Sequence, residues 1–569
     1  MPTDFVQCKK DWFLLSDNDR NLYSWDGGVS RITKNPSTQI SLEGCRAFCG
    51  TGTDFYPWEK QAGTMTTWVL PIMGIILQAP YSSNAFRDTV FSLARWIGSP
   101  MASLSYILWN IKVTGKCALL VDLATPFKFD VEDLAIDFAD IRDSFYVLMT
   151  MNQYTTRPGV RGKKEAEGLL RLVLFSKDLR LLKPSDAGLE EPGCLNRFRR
   201  ELASDLRAQR RRGVVPVFIS TMWFLFALTL SIQTAFGFLG TDSQAHDLAL
   251  GFLLAWLPVL ILSSIVDRNP IAADDIRIKL NGLVDRVRES LRDARVKEKY
   301  FESISDLADQ EKMRKKVEAI TNVSLDLDNF FVGFAGQGRK RFHYGVAHPI
   351  LTDIETAYIA KKGRDWMLDE HEARTKLVLG DIKGGLIWLD PRELWQVLSA
   401  VIIVGGTILG AFILSYLTPT VGLGCRSGGY TIFGTIAFGL LVVEMICWWA
   451  IDAGKDTLTK SIPGMGKLLL LIDSIGGAFG KFIDACQKLL HTALLKYVSE
   501  DQADKTKSRI KAWRSSWKDA TPQKRIGNLF FKPMECFNCV WLVYITLAQT
   551  TGYYNNCNCK SSSWAGGGG

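Results

Sequence analysis

Uncharged apolar runs alternate along this chain with stretches dense in Lys, Arg, Asp and Glu. Val214–Leu239, Leu248–Val266 and Leu394–Leu417 carry no charge, and Tyr430–Ile451 carries only Glu444. A helix needs about 20 apolar residues to cross a hydrocarbon core of ~30 Å, so each run is long enough to span. Trp395 and Tyr416 mark the ends of one run, and Tyr430 with Trp448–Trp449 the ends of the next, as in an interfacial aromatic belt. Two weaker spans are expected. Gln61–Phe86 is uncharged, but its apolar heart, Trp68–Leu77, contains Pro71 and Gly74. Cys536–Thr551 is uncharged and short. A further run, Trp96–Ile111, lies between Arg95 and Lys112 and is rich in Ser; it reads as an interfacial or re-entrant helix. The pattern predicts an all-α polytopic membrane protein with about six transmembrane helices, within a range of five to seven. Met1–Asp11 lacks the apolar core of a signal peptide, so the first span is expected to direct insertion.

Between the runs, apolar residues recur at helical spacing in Val131–Tyr154, Leu169–Leu182 and Leu195–Gln209. Asp274–Arg314 reads as one long amphipathic helix or short coiled coil, with Ile276, Ile278, Leu280, Leu283, Val284, Val287 and Leu291 on or near one face. Pro463–Gly466 reads as a turn before another amphipathic helix, Lys467–Val498. Strand signals are few. No internal repeat is visible, so the repeat architecture of many transporters finds no support.

Charge sets the expected threading. Segment 114–213 holds 18 Lys and Arg, and 453–532 holds 15 against 7 Asp and Glu. The connector Gly240–Asp247 has no Lys or Arg, and Thr418–Gly429 has only Arg426. The positive-inside rule therefore puts 114–213, 267–393 and 452–532 in the cytoplasm, the two connectors outside, and both termini outside. The expected order is a Cys-containing outer segment (1–65), a first span with the interfacial or re-entrant helix (66–113) and a cytoplasmic helical region (114–213). A transmembrane hairpin (214–266), a cytoplasmic region with a Gly/basic loop (267–393) and a second hairpin with a Gly-rich outer loop (394–451) follow. The chain ends with a basic cytoplasmic region (452–532), a last span (533–551) and an outer Cys/Gly tail (552–569).

Composition then looks ordinary for a reason. The 569 residues are 47% apolar and 22% charged, with mean hydropathy +0.05, because the spans are diluted by charged segments. This excludes a disordered chain, a collagen and a small disulfide scaffold. The net charge of +9 sits beside the spans, as in Arg207–Arg212, where it meets the anionic lipids of the cytoplasmic leaflet; nucleic-acid binding is not expected. Of the 12 Cys, Cys8, Cys45, Cys49, Cys425, Cys557 and Cys559 fall on the outer side. An even number in an oxidising compartment suits disulfides, with the connectivity left open.

Candidate chemistry is sparse. Glu444 is an intramembrane carboxylate, and such groups face a cavity, an ion path or a partner. Its functional reading is a proton- or cation-linked site; its plain reading is a hydrogen bond to a neighbour such as Gln233 or Gln396. Gly406 and Gly410 allow close helix packing, within the chain or in a homo-oligomer. Thr418–Tyr430 reads as a tight or re-entrant outer loop tied by Cys425, with a pore loop as the sharper alternative. In Phe331–Ile350, Gly336 and Gly338 precede Arg339, Lys340, Arg341 and His343. Backbone amides and cations together suit an anion or lipid head group. The spacings of Cys536, Cys539, Cys557 and Cys559, and of His343 and His348, do not make a metal site, and neither a cofactor motif nor a catalytic motif is present.

The stretches 418–430 (TPTVGLGCRSGGY) and 334–351 (FAGQGRKRFHYGVAHPIL), with Ile265–Pro270 and the Cys557-Asn558-Cys559 tail, resemble a family of uncharacterised fungal multi-pass integral membrane proteins. The resemblance implies a shared membrane fold and no activity. The function expected from the residues is a non-enzymatic scaffold, sensor or receptor-like protein of the plasma membrane or an endomembrane, whose cytoplasmic regions contact lipid or a protein partner. The alternatives are a channel or transporter using Glu444 and the 418–430 loop, and a membrane-bound enzyme.

Overall fold

A computed structural model describes residues 4–23, 37–39, 41–77, 86–124, 138–156, 163–182, 193–210, 214–237, 242–266, 271–322, 330–336, 338–339, 341, 345–355, 363–364, 366–367, 369–380, 391–418, 423–452, 525–559 and 563–565. Their ordered elements are helices apart from two short two-stranded sheets. The expected helix Lys467–Val498 and nearly all of 452–532 lie outside the described residues.

Among the described residues, four helices are long and apolar enough to cross a membrane: Val215–Thr234, Gln244–Val266, Leu394–Leu417 and Cys425–Cys447. They overlap the runs Val214–Leu239, Leu248–Val266, Leu394–Leu417 and Tyr430–Ile451. Phe218, Met222, Trp223 and Phe226 stand exposed on the first of them, a stripe that suits lipid tails and would be unfavourable in water.

Two further apolar segments are irregular for the same reason. Trp58–Thr64 passes through a π-turn, Met65–Val69, into Leu70–Leu77. A π-turn, Gly527–Phe531, likewise precedes Lys532–Thr551. Pro71 and Pro533 follow these turns. Each proline lacks an N–H and crowds the carbonyl four residues back, at Thr67 and Leu529, and the wider turn relieves both problems.

The Ser-rich run forms a helical hairpin. Phe86–Gly98 stops at Ser99, whose backbone is non-helical, and Pro100 opens a helix of 24 residues, Pro100–Leu123. At 1.5 Å per residue this helix is about 36 Å long. Its first half packs Met101, Ala102, Leu104 and Ile107 into the bundle, and its second half packs Val113, Cys117 and Leu120 into a separate core.

That second core joins the two charged stretches into one helical domain. Helices Phe138–Met151, Lys163–Phe175, Leu195–Ala208, Ala273–Arg292, Ala294–Glu302, Leu307–Asn322, Ala347–Ile354 and Glu370–Leu379 build it. Strand Tyr154–Thr156 pairs antiparallel with Phe331–Phe334 at its edge. The single helix expected over Asp274–Arg314 is broken. The Asp293 carboxylate accepts from the amides of Arg295 (2.8 Å) and Val296 (3.0 Å) and so starts a new helix. Ile276, Leu280, Leu283, Val284, Val287 and Leu291 are buried, whereas Ile278 is exposed.

Buried charges in this domain are paired, as low-dielectric surroundings require. Asp140, at the centre, meets Arg199 at 2.9 Å and Arg374 at 2.8 Å. Arg171 meets Asp353 at 2.6 Å and Glu167 at 2.7 Å.

A third, small core holds Phe5, Cys8, Trp12, Cys45, Cys49 and Cys557. Strand Ser37–Gln39 pairs antiparallel with Ser563–Ala565, so the two ends of the chain fold together.

Candidate functional site

The site begins at the edge of the helical domain. Asn281 pins strand Phe331–Phe334 through both of its amide atoms: Nδ2 donates to the Phe331 carbonyl (3.0 Å) and Oδ1 accepts from the Phe331 amide (2.7 Å). Past the strand, the amides of Ala335 and Gly336 donate to the Gln153 carbonyl at 2.8 and 3.1 Å. The chain then turns at Gly338, with φ +68°. A Cβ there would sit 2.9 Å from the Ser103 carbonyl oxygen, so only glycine brings this backbone against the Pro100–Leu123 helix.

This turn meets a buried charge cluster. Arg95, near the C-terminal end of Phe86–Gly98, donates through Nε to the Gly338 carbonyl at 2.5 Å. Its Nη2 reaches Glu444 Oε1 at 2.9 Å, and its Nη1 reaches Glu535 Oε1 at 3.3 Å. Arg341 donates through Nε to the same Glu535 oxygen at 2.9 Å, and through Nη2 to Glu535 Oε2. The Arg341 guanidinium lies 5.3 Å from the Phe531 ring centroid, and that of Arg95 lies 5.8 Å from the Tyr106 ring centroid. Asn538 donates to the Gly98 carbonyl at 2.7 Å, which occupies an end-of-helix acceptor. A Cβ on Gly98 would run into the Glu535 carbonyl, so the close approach of these helices depends on that glycine.

Two arginines face two glutamates, and the cluster is formally neutral. Arg95, Glu444 and Glu535 are each at most 3% exposed. Such burial carries a large desolvation cost, offset only by short, multiple contacts. Burial and the adjacent Arg95 charge pull Arg341 down to about 9, which leaves it charged at pH 7. Glu444 Oε2 and Asn538 Oδ1 are buried and have no hydrogen-bond partner among the described residues.

Glu444 therefore meets Arg95, and not Gln233 or Gln396. Arg341 is turned inward to Glu535 and is not a free lipid-facing cation. The Arg339 guanidinium lies 5.7 Å from the Trp96 ring centroid and 5.5 Å from that of Phe334. Lys340 and His343 lie outside the described residues. Gly405 and Gly410 face Met101 and Phe252 of the same chain, whereas a Cβ on Gly406 would meet nothing within 4 Å.

The six cysteines assigned to the outer side form three disulfides: Cys8–Cys49, Cys45–Cys557 and Cys425–Cys559. The sulfurs of Cys45, Cys49 and Cys557 lie within 4.8 Å of one another. Each is bonded to another sulfur, so none offers the thiolate a metal needs. In the Gly-rich loop, Arg426 is turned toward the tail. It donates to Gln549 Oε1 at 2.8 Å and to Asn555 Oδ1 at 3.1 Å.

Arg95 enters the expectations only as a bound of the run Trp96–Ile111, and Glu535, which directly precedes the run Cys536–Thr551, does not enter them. A charge adjoining an apolar run is the available signal. It does not say which partner, 349 or 440 residues away in sequence, such a charge meets. No protein-family model, no curated protein and no solved structure matches this chain.

Proposed function

We propose that the chain is a non-enzymatic membrane scaffold or sensor in which the charge cluster couples a cytoplasmic helical domain to the transmembrane bundle. In this reading six segments cross the membrane: 58–77, 214–237, 242–266, 394–417, 425–447 and 532–551. The hairpin 86–123 enters from the cytoplasmic side and returns, and both termini lie outside in the plasma membrane or an endomembrane. The joining of the amino-terminal segment to the tail through Cys45–Cys557 supports this threading, since linked segments share one side. The basic flanks then lie against anionic lipids, and the outer face of the helical domain is the surface for a protein partner.

The observation that carries the proposal is the sharing of Glu535 between Arg341, from the helical domain, and Arg95, from the bundle. Movement of either body changes the other's buried charge balance. Comparing amide hydrogen exchange in the wild type and in Glu535→Gln tests it. Coupling predicts faster exchange at both Phe331–Gly336 and Phe86–Gly98. Faster exchange confined to one body would refute it.

A second reading, an ion or proton pathway, is favoured by one observation, the Glu444 oxygen without a partner among the described residues. The neutral pairing of the cluster favours the structural role.

A further inference from the structure

We propose that the start of helix Lys532–Thr551 is an S-acylation site, with Cys536 as the first acceptor and Cys539 as the second. Both are free, half-buried thiols. At three residues apart they share one side of the helix. Neither belongs to a group of three possible metal ligands among the described residues.

The helix has two faces. Glu535, Asn538, Leu542 and Ile545 are buried in the bundle. Val540, Val543 and Leu547, which follow Cys536 at helical spacing, are exposed. Aromatic rings border this stripe: Phe537 stacks on Trp541 at 6.0 Å, and Trp541 lies 5.3 Å from Tyr544. From Cys536 to Leu547 the helix rises about 17 Å. An apolar track of that length leads from the thiol into the bilayer, and a long acyl chain can lie along it.

The thiol also stands at the right level. Lys532 precedes Cys536 by one turn and marks the cytoplasmic edge in the proposed threading. In a helix the Cα–Cβ bonds tilt toward the N-terminus, which here is the cytoplasmic end, so Cys536 leans toward the surface. Cys447 is another free thiol near this level, because Arg95 holds both Glu444 and Glu535. Its helix runs the opposite way, so its Cβ tilts into the bilayer. A juxtamembrane cysteine of the first kind suits reversible acylation.

The acyl donor is a long-chain acyl-CoA on the cytoplasmic side. The Cys536 thiolate attacks the thioester carbonyl. A new carbon–sulfur bond forms as the bond to the CoA sulfur breaks, and CoA leaves as the thiol, with the proton that Cys536 gave up. No group is oxidised or reduced. The proposal rests on the proposed threading and is independent of the coupling role of Glu535.

The test uses the full-length protein from membranes of a eukaryotic host. Free thiols are blocked, thioesters are cleaved with neutral hydroxylamine, and the thiols released are tagged with a maleimide polymer. The wild type should show a hydroxylamine-dependent mass shift. Cys536→Ser should lose most of it and Cys536→Ser/Cys539→Ser all of it, while Cys447→Ser should keep it. No shift in the wild type, or a shift that survives in the double variant, would overturn the proposal. Labelling of Cys194 in sealed cells reports separately on the threading, so a missing shift with Cys194 shielded rejects the site and leaves the topology standing.

Discussion

Arg95 Nη2 donates to Glu444 Oε1 at 2.9 Å, with both side chains sealed from solvent. Removing one partner leaves the other charge buried without its partner. Arg95→Met and Glu444→Gln should therefore each cost about 3–5 kcal/mol of stability in detergent. The double variant should lose clearly less than the sum of the two, because it leaves no orphan charge. Additive losses in a double-mutant cycle would show that the pair is not energetically coupled.

The disulfides tie distant parts of the chain. Cys425–Cys559 closes a sequence separation of 134 residues and Cys45–Cys557 one of 512. A protease site inserted between residues 453 and 524 should yield two fragments that migrate together without reductant and separate with it. Cys425→Ser should lower stability by up to about 5 kcal/mol by the loop-entropy argument. Fragments that part without reductant would mean that these bridges do not form.

Threading is tested by a thiol. Cys194 is exposed at the start of helix Leu195–Ala208, and the proposed topology puts it in the cytoplasm. A membrane-impermeant maleimide should leave it unlabelled in sealed cells and label it after permeabilisation. Labelling in sealed cells would invert the threading.

A half-buried lysine predicts a pH dependence. Lys316 donates to the carbonyls of Val378 and Leu379 at 2.8 and 2.7 Å, and burial pulls its pKa down to about 8 from 10.5. Between those values the unfolded chain holds a proton that the folded chain does not, so stability rises with pH across that window. Below pH 8 the full cost of burying the charge is present. Relative to Lys316→Met, the wild type should therefore gain up to about 3 kcal/mol between pH 8 and pH 10.5, measured by denaturant unfolding. An unchanged difference between the two proteins would rule out a depressed lysine.

Much of the architecture is legible in the sequence because lipid imposes a one-dimensional rule. Val214–Leu239 and Leu394–Leu417 announce themselves by length and absence of charge, without knowledge of any partner. Helix breaks are harder to see. Asp293 sits in a stretch so rich in charge that its capping role does not stand out, and the π-turns before Pro71 and Pro533 depend on how the neighbouring helices receive them. The cluster is the least legible feature. Glu444 is visible as a single charge in an apolar run, but Arg95, Arg341 and Glu535 come from three other segments, and pairing them is a three-dimensional fact. The Gly338 turn also explains why a Gly-rich basic stretch that suits a lipid head group instead sends Arg341 to a carboxylate of its own chain.

The most direct test of the account is the Glu444→Gln protein in vesicles. Proton and alkali-cation flux under an imposed gradient should be measured for the wild type and the variant at matched reconstitution. A structural Glu444 predicts that both match protein-free vesicles, while the variant unfolds at a lower temperature. A flux carried by the wild type and lost in Glu444→Gln would contradict the account and make the cluster part of a transport path.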